Sequence, residues 1–175
     1  MKNVLTLYSS SRPRGNTYSM VKVLSDLIPS ENLYLDDLDI GEYDYDFRNQ
    51  DDDFVGVIDR MLKADVIVFS CPEYWYTLTP AFKRLFDRFT DLTELENLKV
   101  KGKALRKKQF HLFTTSASEK PSDAFISVVS HTLQYLGWEF GGFVHIYCED
   151  RLDEQEAKTA LSGFVQQVSE DKLTA

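Results

Sequence analysis

The run VIVFS at residues 66–70 is the feature that most constrains the fold. β-Branched and aromatic residues follow one another there without polar alternation, which is typical of a strand buried on both faces at the centre of a parallel sheet. Parallel neighbours are joined by crossover segments, which are usually helices. The sequence on both sides of this run should therefore alternate between strand patterns and helical patterns.

The rest of the chain shows that alternation. Before the central run, the patterns predict a strand at 4–8, a helix at 17–28, a strand at 32–38, a loop at 40–50 and a helix at 53–63. After it they predict a helix at 80–92, a basic connection at 99–108, a strand at 109–115, a helix at 122–136, a strand at 139–147 and a helix at 153–169. This order predicts an α/β fold: a doubly wound parallel sheet with helices on both faces.

Length and composition limit the domain count and the kinds of partner. A chain of 175 residues with 43% hydrophobic residues can bury one core, which predicts a single domain over residues 1–175. The net charge of -8 disfavours binding to nucleic acid or to anionic lipid. The N-terminus has only a short apolar run, and no stretch reaches 18 apolar residues. We therefore expect a cytoplasmic protein with no membrane partner.

The cysteines and histidines give no sign of a metal site. Cys71 and Cys148 form neither a CxxC pair nor a disulfide framework, and the histidines at 111, 131 and 145 lie in separate segments. We therefore expect no metal and a reducing compartment. Thr77 stands where a CxxxxxR phosphatase loop needs arginine, so Cys71 is interpreted as a small buried residue.

In a doubly wound sheet, ligands bind outside the carboxyl ends of the strands, where the strand order switches. Three loops should lie there: the first loop (residues 9–16), the second loop (71–79) and the third loop (115–121). The first loop, SSSRPRGN, leads into a helix, whose free N–H groups favour an anion such as phosphate. Arg12 and Arg14 add positive charge, and GxxxxGK[ST] and GxGxxG are both absent. The alternative is an ordinary surface turn with Asn16 as the helix cap.

The second loop carries three consecutive aromatic residues, at positions 74–76. Such residues stack on a flat ring, or they pack in the core or between subunits. The first loop, together with Pro72, Tyr74, Pro80, Lys83, Asp87 and Arg88, resembles the flavodoxin-like NAD(P)H-dependent FMN reductase and NAD(P)H quinone oxidoreductase family. Members of that family carry a GSxRxxGNT-type loop and a PxYxxxxPxxxKxxxDR-type segment at these places.

The resemblance implies a flavodoxin-like five-stranded sheet of order 2-1-3-4-5 with FMN as cofactor. It assigns to FMN the residues Ser10, Arg12, Asn16 and Thr17 of the first loop and the helix start, Pro72, Glu73, Tyr74, Trp75 and Tyr76 of the second loop, and Thr115, Ser116 and Ser118 of the third loop. These groups would bind the phosphate, border the isoalloxazine and ribityl chain, and approach the pyrimidine side, respectively. The chain departs from the family at Ser9, where glycine is usual, and in a third loop without glycine.

The resemblance also implies an enzyme without a catalytic side chain, because the cofactor carries the chemistry. NADH or NADPH would reduce the flavin, and a quinone, a nitro or azo compound, or another flavin would accept the electrons. The alternatives are a flavodoxin-type electron carrier that docks to a redox protein, and a flavodoxin-like interaction module without cofactor.

Two segments near the expected site leave alternatives open. The helix at 80–92, with Phe82, Phe86 and Phe89, would lie in a homodimer contact, although its Lys83 and Asp87 could be no more than a surface pair. The aromatic residues of the loop at 40–50 could cover the flavin or pack beneath the loop.

Overall fold

The computed structural model describes residues 2–170. Five strands form one sheet: β1 (Val4–Tyr8), β2 (Ser30–Tyr34), β3 (Val66–Ser70), β4 (Gln109–Ser116) and β5 (Glu139–Tyr147). Their order is β2-β1-β3-β4-β5, and each neighbouring pair is parallel. The predicted doubly wound fold and its strand order are confirmed.

Helices cover both faces of this sheet. They are α1 (Asn16–Leu27), α2 (Phe54–Lys63), α3 (Pro80–Arg88), α4 (Asp91–Glu94), α5 (Glu96–Ala104), α6 (Asp123–Leu136) and α7 (Glu154–Glu170), with 3₁₀ turns at Leu35–Asp37 and Leu105–Lys107. The central strand β3 is buried throughout: Ile67 and Phe69 join the apolar cluster that includes α2, α3 and α6, and Val66 and Val68 join the cluster under α1 and α7. Burial of both faces explains the unbroken apolar run.

Three predicted segments differ from the structure. The helix predicted at 80–92 ends at Arg88, and the short helix α4 follows it. The second strand covers Ser30–Tyr34 and gives way to a 3₁₀ turn, so the predicted range 32–38 was displaced. The basic connection at 99–108 is largely helical, as α5 and the 3₁₀ turn that follows it. Few apolar side chains of this helical region are buried, mainly Leu98 and Leu105, which are seven residues apart. Two buried positions among many lysines do not give a recognisable helical pattern.

The phenylalanines of α3 belong to the core of the chain itself. Phe82, Phe86 and Phe89 are 0%, 7% and 1% exposed and pack their rings around Phe69 of the central strand. The prediction that these rings form a homodimer contact was wrong, because the apolar face of α3 is turned towards the sheet. On the opposite face, Lys83 and Asp87 form an exposed ion pair of 2.5 Å.

A buried arginine fixes the long segment between the 3₁₀ turn at Leu35–Asp37 and α2. Arg88 is 1% exposed; it pairs with Asp52 and with Asp91, and it donates to the carbonyl oxygens of Gly41 (3.2 Å) and Asn49 (2.7 Å). A buried charge is tolerated only when it is paired and hydrogen-bonded in this way. Burial alone would raise the pKa of Asp52, but the hydrogen bond from Arg88 lowers it below its usual value.

A glycine in β5 makes room for a buried histidine in β4. A Cβ atom on Gly141 would lie 2.4 Å from Cε1 of His111, and the β4–β5 register shifts beside this histidine. Burial lowers the pKa of His111 to about 4, so the ring is neutral near pH 7. His111 therefore packs as a neutral core residue.

Candidate functional site

A cavity of about 250 Å³ lies at the carboxyl ends of β1, β3 and β4. All three predicted loops contribute to its wall, together with one residue after β5. The lining residues are Ser10, Arg12, Gly15, Asn16, Thr17, Pro72, Glu73, Tyr74, Thr115, Ser116, Ala117 and Cys148. Nine of the twelve residues predicted to bind the cofactor are therefore brought together, and Trp75, Tyr76 and Ser118 do not line the cavity.

The start of α1 has the features of an anion site. Gly15 occupies the cap position and provides no side-chain cap, so the first N–H groups of the helix have no partner within it. Asn16 is used elsewhere: its side chain donates to the carbonyl oxygen of Asp150 (3.2 Å) and accepts from the amide of Leu152 (3.1 Å). The interpretation of Asn16 as the helix cap was wrong. The open N-terminus of α1, with the buried hydroxyl of Thr17 beside it, favours a bound anion.

Two arginines of the first loop are exposed, but only one lines the cavity. Arg12 contributes to the wall, whereas Arg14 does not, and neither forms an ion pair with a carboxylate in the described part of the chain. The backbone of Ser10 is held on both sides: its amide donates to Asp36 (3.3 Å), and its carbonyl oxygen accepts from the hydroxyl of Tyr34 (2.7 Å). The loop is thus fixed while its cationic side chain stays available.

Ser9, which stands where the resembled family usually has glycine, makes a structural contact. Ser9 is fully buried, and its hydroxyl accepts a hydrogen bond of 2.7 Å from the hydroxyl of Thr79. Thr79 stands at the cap position of α3, but its side chain does not cap the helix. This bond ties the first loop to the end of the second.

The second loop contains a tight two-residue turn with strained residues at its tip. Tyr74 and Thr77 exchange two backbone hydrogen bonds of 3.1 Å, and Trp75 (φ 47°) and Tyr76 (φ 64°) between them are both left-handed. That conformation costs a residue other than glycine about 1–2 kcal/mol. Trp75 is 90% exposed and Tyr76 is 63% exposed, so both rings point away from the core, next to the cavity wall formed by Tyr74.

A carboxylate joins the second loop to the start of α6. Glu73 accepts from the amide (3.0 Å) and the hydroxyl of Ser122, and the Ser122 hydroxyl in turn accepts from the amide of Phe125 as the cap of α6. The negative charge lies at the positive end of the helix dipole. Glu73 is therefore committed to a structural contact on one wall of the cavity.

A serine–histidine pair lies behind the third loop. The hydroxyl of Ser116 lies 2.9 Å from Nε2 of His145 and also accepts from the amide of Ser118 (3.2 Å). Burial lowers the pKa of His145, and the nearby Glu73 opposes that effect only in part. This histidine is therefore mostly neutral at pH 7, and its hydrogen bond orients the Ser116 hydroxyl at the cavity wall.

Three lining residues, Gly15, Ala117 and Cys148, and His145 behind the third loop were not among the twelve residues predicted to bind the cofactor. Gly15 and Ala117 lie within loops already singled out, so their position was a sufficient signal. Cys148 and His145 come from the end of β5, which was not counted among the loops near the switch in strand order. Cys148 is 8% exposed, and burial raises the pKa of its thiol above the usual value. Burial also raises the pKa of Cys71, to about 12, as expected for a small core residue.

Comparisons with solved structures support the fold. The Trp repressor binding protein from Bacillus subtilis superimposes with a TM-score of 0.73 at 18% identity, covering 96% of this chain and 98% of that one. FerB from Paracoccus denitrificans, a flavoenzyme NAD(P)H:(acceptor) oxidoreductase, gives 0.67 at 18% identity, with 96% and 95% covered. At these identities the likeness shows the shared fold alone.

Sequence comparison identifies the family. A Bacillus subtilis protein, YwqN, provisionally named an NAD(P)H-dependent FMN-containing oxidoreductase, is 20% identical over 149 residues, which is 81% of this chain and 82% of that protein. The family model of NADPH-dependent FMN reductases matches residues 2–145, which include the first and second loops and the third. The chain therefore belongs to the NADPH-dependent FMN reductase family.

Proposed function

We propose that this chain oxidises NADH or NADPH at FMN bound in the cavity between its three loops, and that a quinone, a nitro or azo compound, or another flavin accepts the electrons. Family membership makes it a flavin-dependent NAD(P)H oxidoreductase. The observation that carries the proposed location is the open N-terminus of α1 in the same cavity wall as Arg12 and Tyr74. A single ligand with a phosphate and a flat ring would contact both the N-terminus of α1 and the ring of Tyr74.

The residues of the cavity fit FMN. The hydroxyls of Ser10 and Thr17, the first amides of α1 and Arg12 would hold the phosphate dianion. Glu73 is the one acidic side chain in the wall, and its carboxylate is held by Ser122. Bound FMN supplies the hydride and electron transfer that no side chain here provides.

The remaining wall would hold the ring system. Pro72 and Tyr74 would border it on one side, and Trp75 and Tyr76 would stand at the mouth. Thr115 and Ser116 would offer hydroxyls to its polar pyrimidine edge, and His145 would fix the direction of the Ser116 hydroxyl. Ser118 would act through its backbone bond to Ser116, because it does not itself line the cavity.

We also propose a homodimer in the cytoplasm. Both cysteines are free thiols, which suits a reducing compartment. In the part of the chain that the structure describes, no helix is long and apolar enough to cross a membrane. The α3 phenylalanines are not available for a subunit contact, but Trp75 and Tyr76 expose large aromatic surfaces that a second copy would cover.

The absorption spectrum of the purified protein tests the proposed activity. We expect the protein to carry FMN, or to bind added FMN, and NADPH or NADH to bleach the flavin band without air. Addition of a quinone should then restore the band. Reduction by dithionite but by neither nicotinamide cofactor would indicate an electron carrier, and failure to bind FMN would leave an interaction module.

Arg12→Gln tests the phosphate site. We expect FMN to bind about tenfold more weakly, because a charge-assisted hydrogen bond contributes about 1.5–3 kcal/mol and salt screens part of it at an exposed site. Arg14→Gln is the matched control, since it removes the same charge from the same loop but outside the cavity wall. Fluorescence titration measures the FMN affinity of both variants. Equal weakening by the two would contradict the proposal that Arg12 binds the phosphate.

Trp75→Asn tests the strained turn. Asparagine tolerates the left-handed conformation, so we expect the free energy of unfolding of the FMN-free protein to rise by about 1 kcal/mol. FMN should nevertheless bind about fivefold more weakly, because an aromatic stacking contact of about 1 kcal/mol is lost. Tyr135→Ala removes a similarly exposed ring from α6, outside the cavity between the three loops, and should not change FMN affinity. Unchanged FMN affinity in Trp75→Asn would remove Trp75 from the site.

Sedimentation velocity tests the homodimer. The protein at micromolar concentration should sediment as a species of twice the chain mass of 20.2 kDa. A species of the single chain mass at that concentration would contradict the proposal.

A further inference from the structure

The most basic part of the chain does not line the cavity between the three loops, in which we propose that FMN binds and which is called the flavin cavity below. Residues 99–108 hold six of the 20 basic residues of the protein and none of its 28 acidic ones. They form the second half of α5, the 3₁₀ turn Leu105–Lys107 and the entry to β4. None of them lines the cavity between the three loops.

This segment forms one wall of a second cavity of about 270 Å³. The cavity lies near the start of β4, whereas the flavin cavity lies at the end of that strand, so the eight residues of β4 separate the two by roughly 25 Å. Its lining residues are Leu92, Thr93, Lys99, Gly102, Lys103, Arg106, Tyr135, Leu136 and Trp138.

The floor of the second cavity is apolar and rigid. Leu92, Leu136 and Trp138 are 3%, 8% and 3% exposed. The Trp138 indole stacks on Phe110 with ring centroids 4.8 Å apart, and its Nε1 donates to the carbonyl oxygen of Gly102 (3.1 Å). Tyr135, by contrast, is 83% exposed at the edge. Two aromatic residues thus flank a preformed space.

The rim of the second cavity carries three basic side chains, two of which form no ion pair within residues 2–170. Lys99 pairs with Glu96 at 2.5 Å, but Lys103 and Arg106 take part in no ion pair within residues 2–170. Arg106 uses its Nε to donate to the carbonyl oxygen of Leu136 (3.1 Å), which fixes the guanidinium beside the end of α6. Its terminal nitrogens remain for a ligand.

We propose that the second cavity binds a small organic anion that carries an aromatic ring, of the class of aromatic carboxylates and sulfonates. The ring would lie between Tyr135 and the Trp138 floor, and the anionic group would bind Lys103 and Arg106. The volume lies just below the usual range of small-molecule sites, so it suits a small ligand and not a whole dinucleotide. The ligand differs from the co-substrate of the flavin reaction, and the site does not depend on FMN.

Titration of the full-length protein with naphthalene-2-sulfonate tests this site. The chain has two tryptophans, so two side-chain indole N–H signals are expected by NMR, and Trp75→Phe identifies the signal of Trp138. The Trp138 signal should shift and saturate with a Kd of about 1 mM or below. Neutral 2-naphthalenemethanol should bind at least about tenfold more weakly, since it lacks the charge that Lys103 and Arg106 recognise.

Lys103→Gln should weaken naphthalene-2-sulfonate binding about fivefold to tenfold. The double variant Lys107→Gln/Lys108→Gln is the matched control: it removes two charges from the same segment but outside the cavity wall, and it should change the Kd less than about twofold. Equal weakening by the control, equal binding of the neutral alcohol, no saturation by about 10 mM, or a shift confined to Trp75 would each overturn the proposal.

Discussion

The pairing of β1 with β3 is the contact on which the cavity between the three loops depends. Tyr8 lies opposite Ser70, and one residue later the amide of Ser9 still donates to the carbonyl oxygen of Ser70 (3.0 Å). The chain then leaves β1 towards β2 on one side and leaves β3 towards β4 on the other, so the two loops separate and open a crevice. The buried bond between Ser9 and Thr79 limits how far they separate.

Charged side chains order the loops around this crevice. Glu73, in the cavity wall, binds the cap of α6. Arg88 binds the carboxylates of Asp52 and Asp91 and two carbonyl oxygens of the segment before α2, which does not itself line the cavity. Ordering a loop costs about 1–2 kcal/mol per residue in backbone entropy. Because these contacts order the loops during folding, a ligand does not have to meet that cost when it binds. Tyr43 lies beside α3 and contacts the rings of Tyr45 and Phe47, and none of the three lines the cavity between the three loops.

Sequence could predict the features that depend on period and strand order. An unbroken apolar run identified β3, and the parallel topology then placed the strand ends together, which brought nine of the twelve predicted residues to one cavity. It could not assign the α3 phenylalanines, because a core face and a subunit contact have the same composition. It also gave no sign of the partners of Ser9 and His145, because both bonds join residues that lie far apart in the chain.

The left-handed residues show where the chain accepts strain. α6 ends in a residue with left-handed backbone conformation, and that residue is Gly137 (φ 71°), which adopts it without steric cost. At the tip of the second loop, a turn of similar geometry is filled by Trp75 and Tyr76, whose exposed rings gain no core contact in return. Folding alone would favour glycine or asparagine at both places. This strain supports the proposal that the two rings contact a ligand or a second copy of the chain outside the fold.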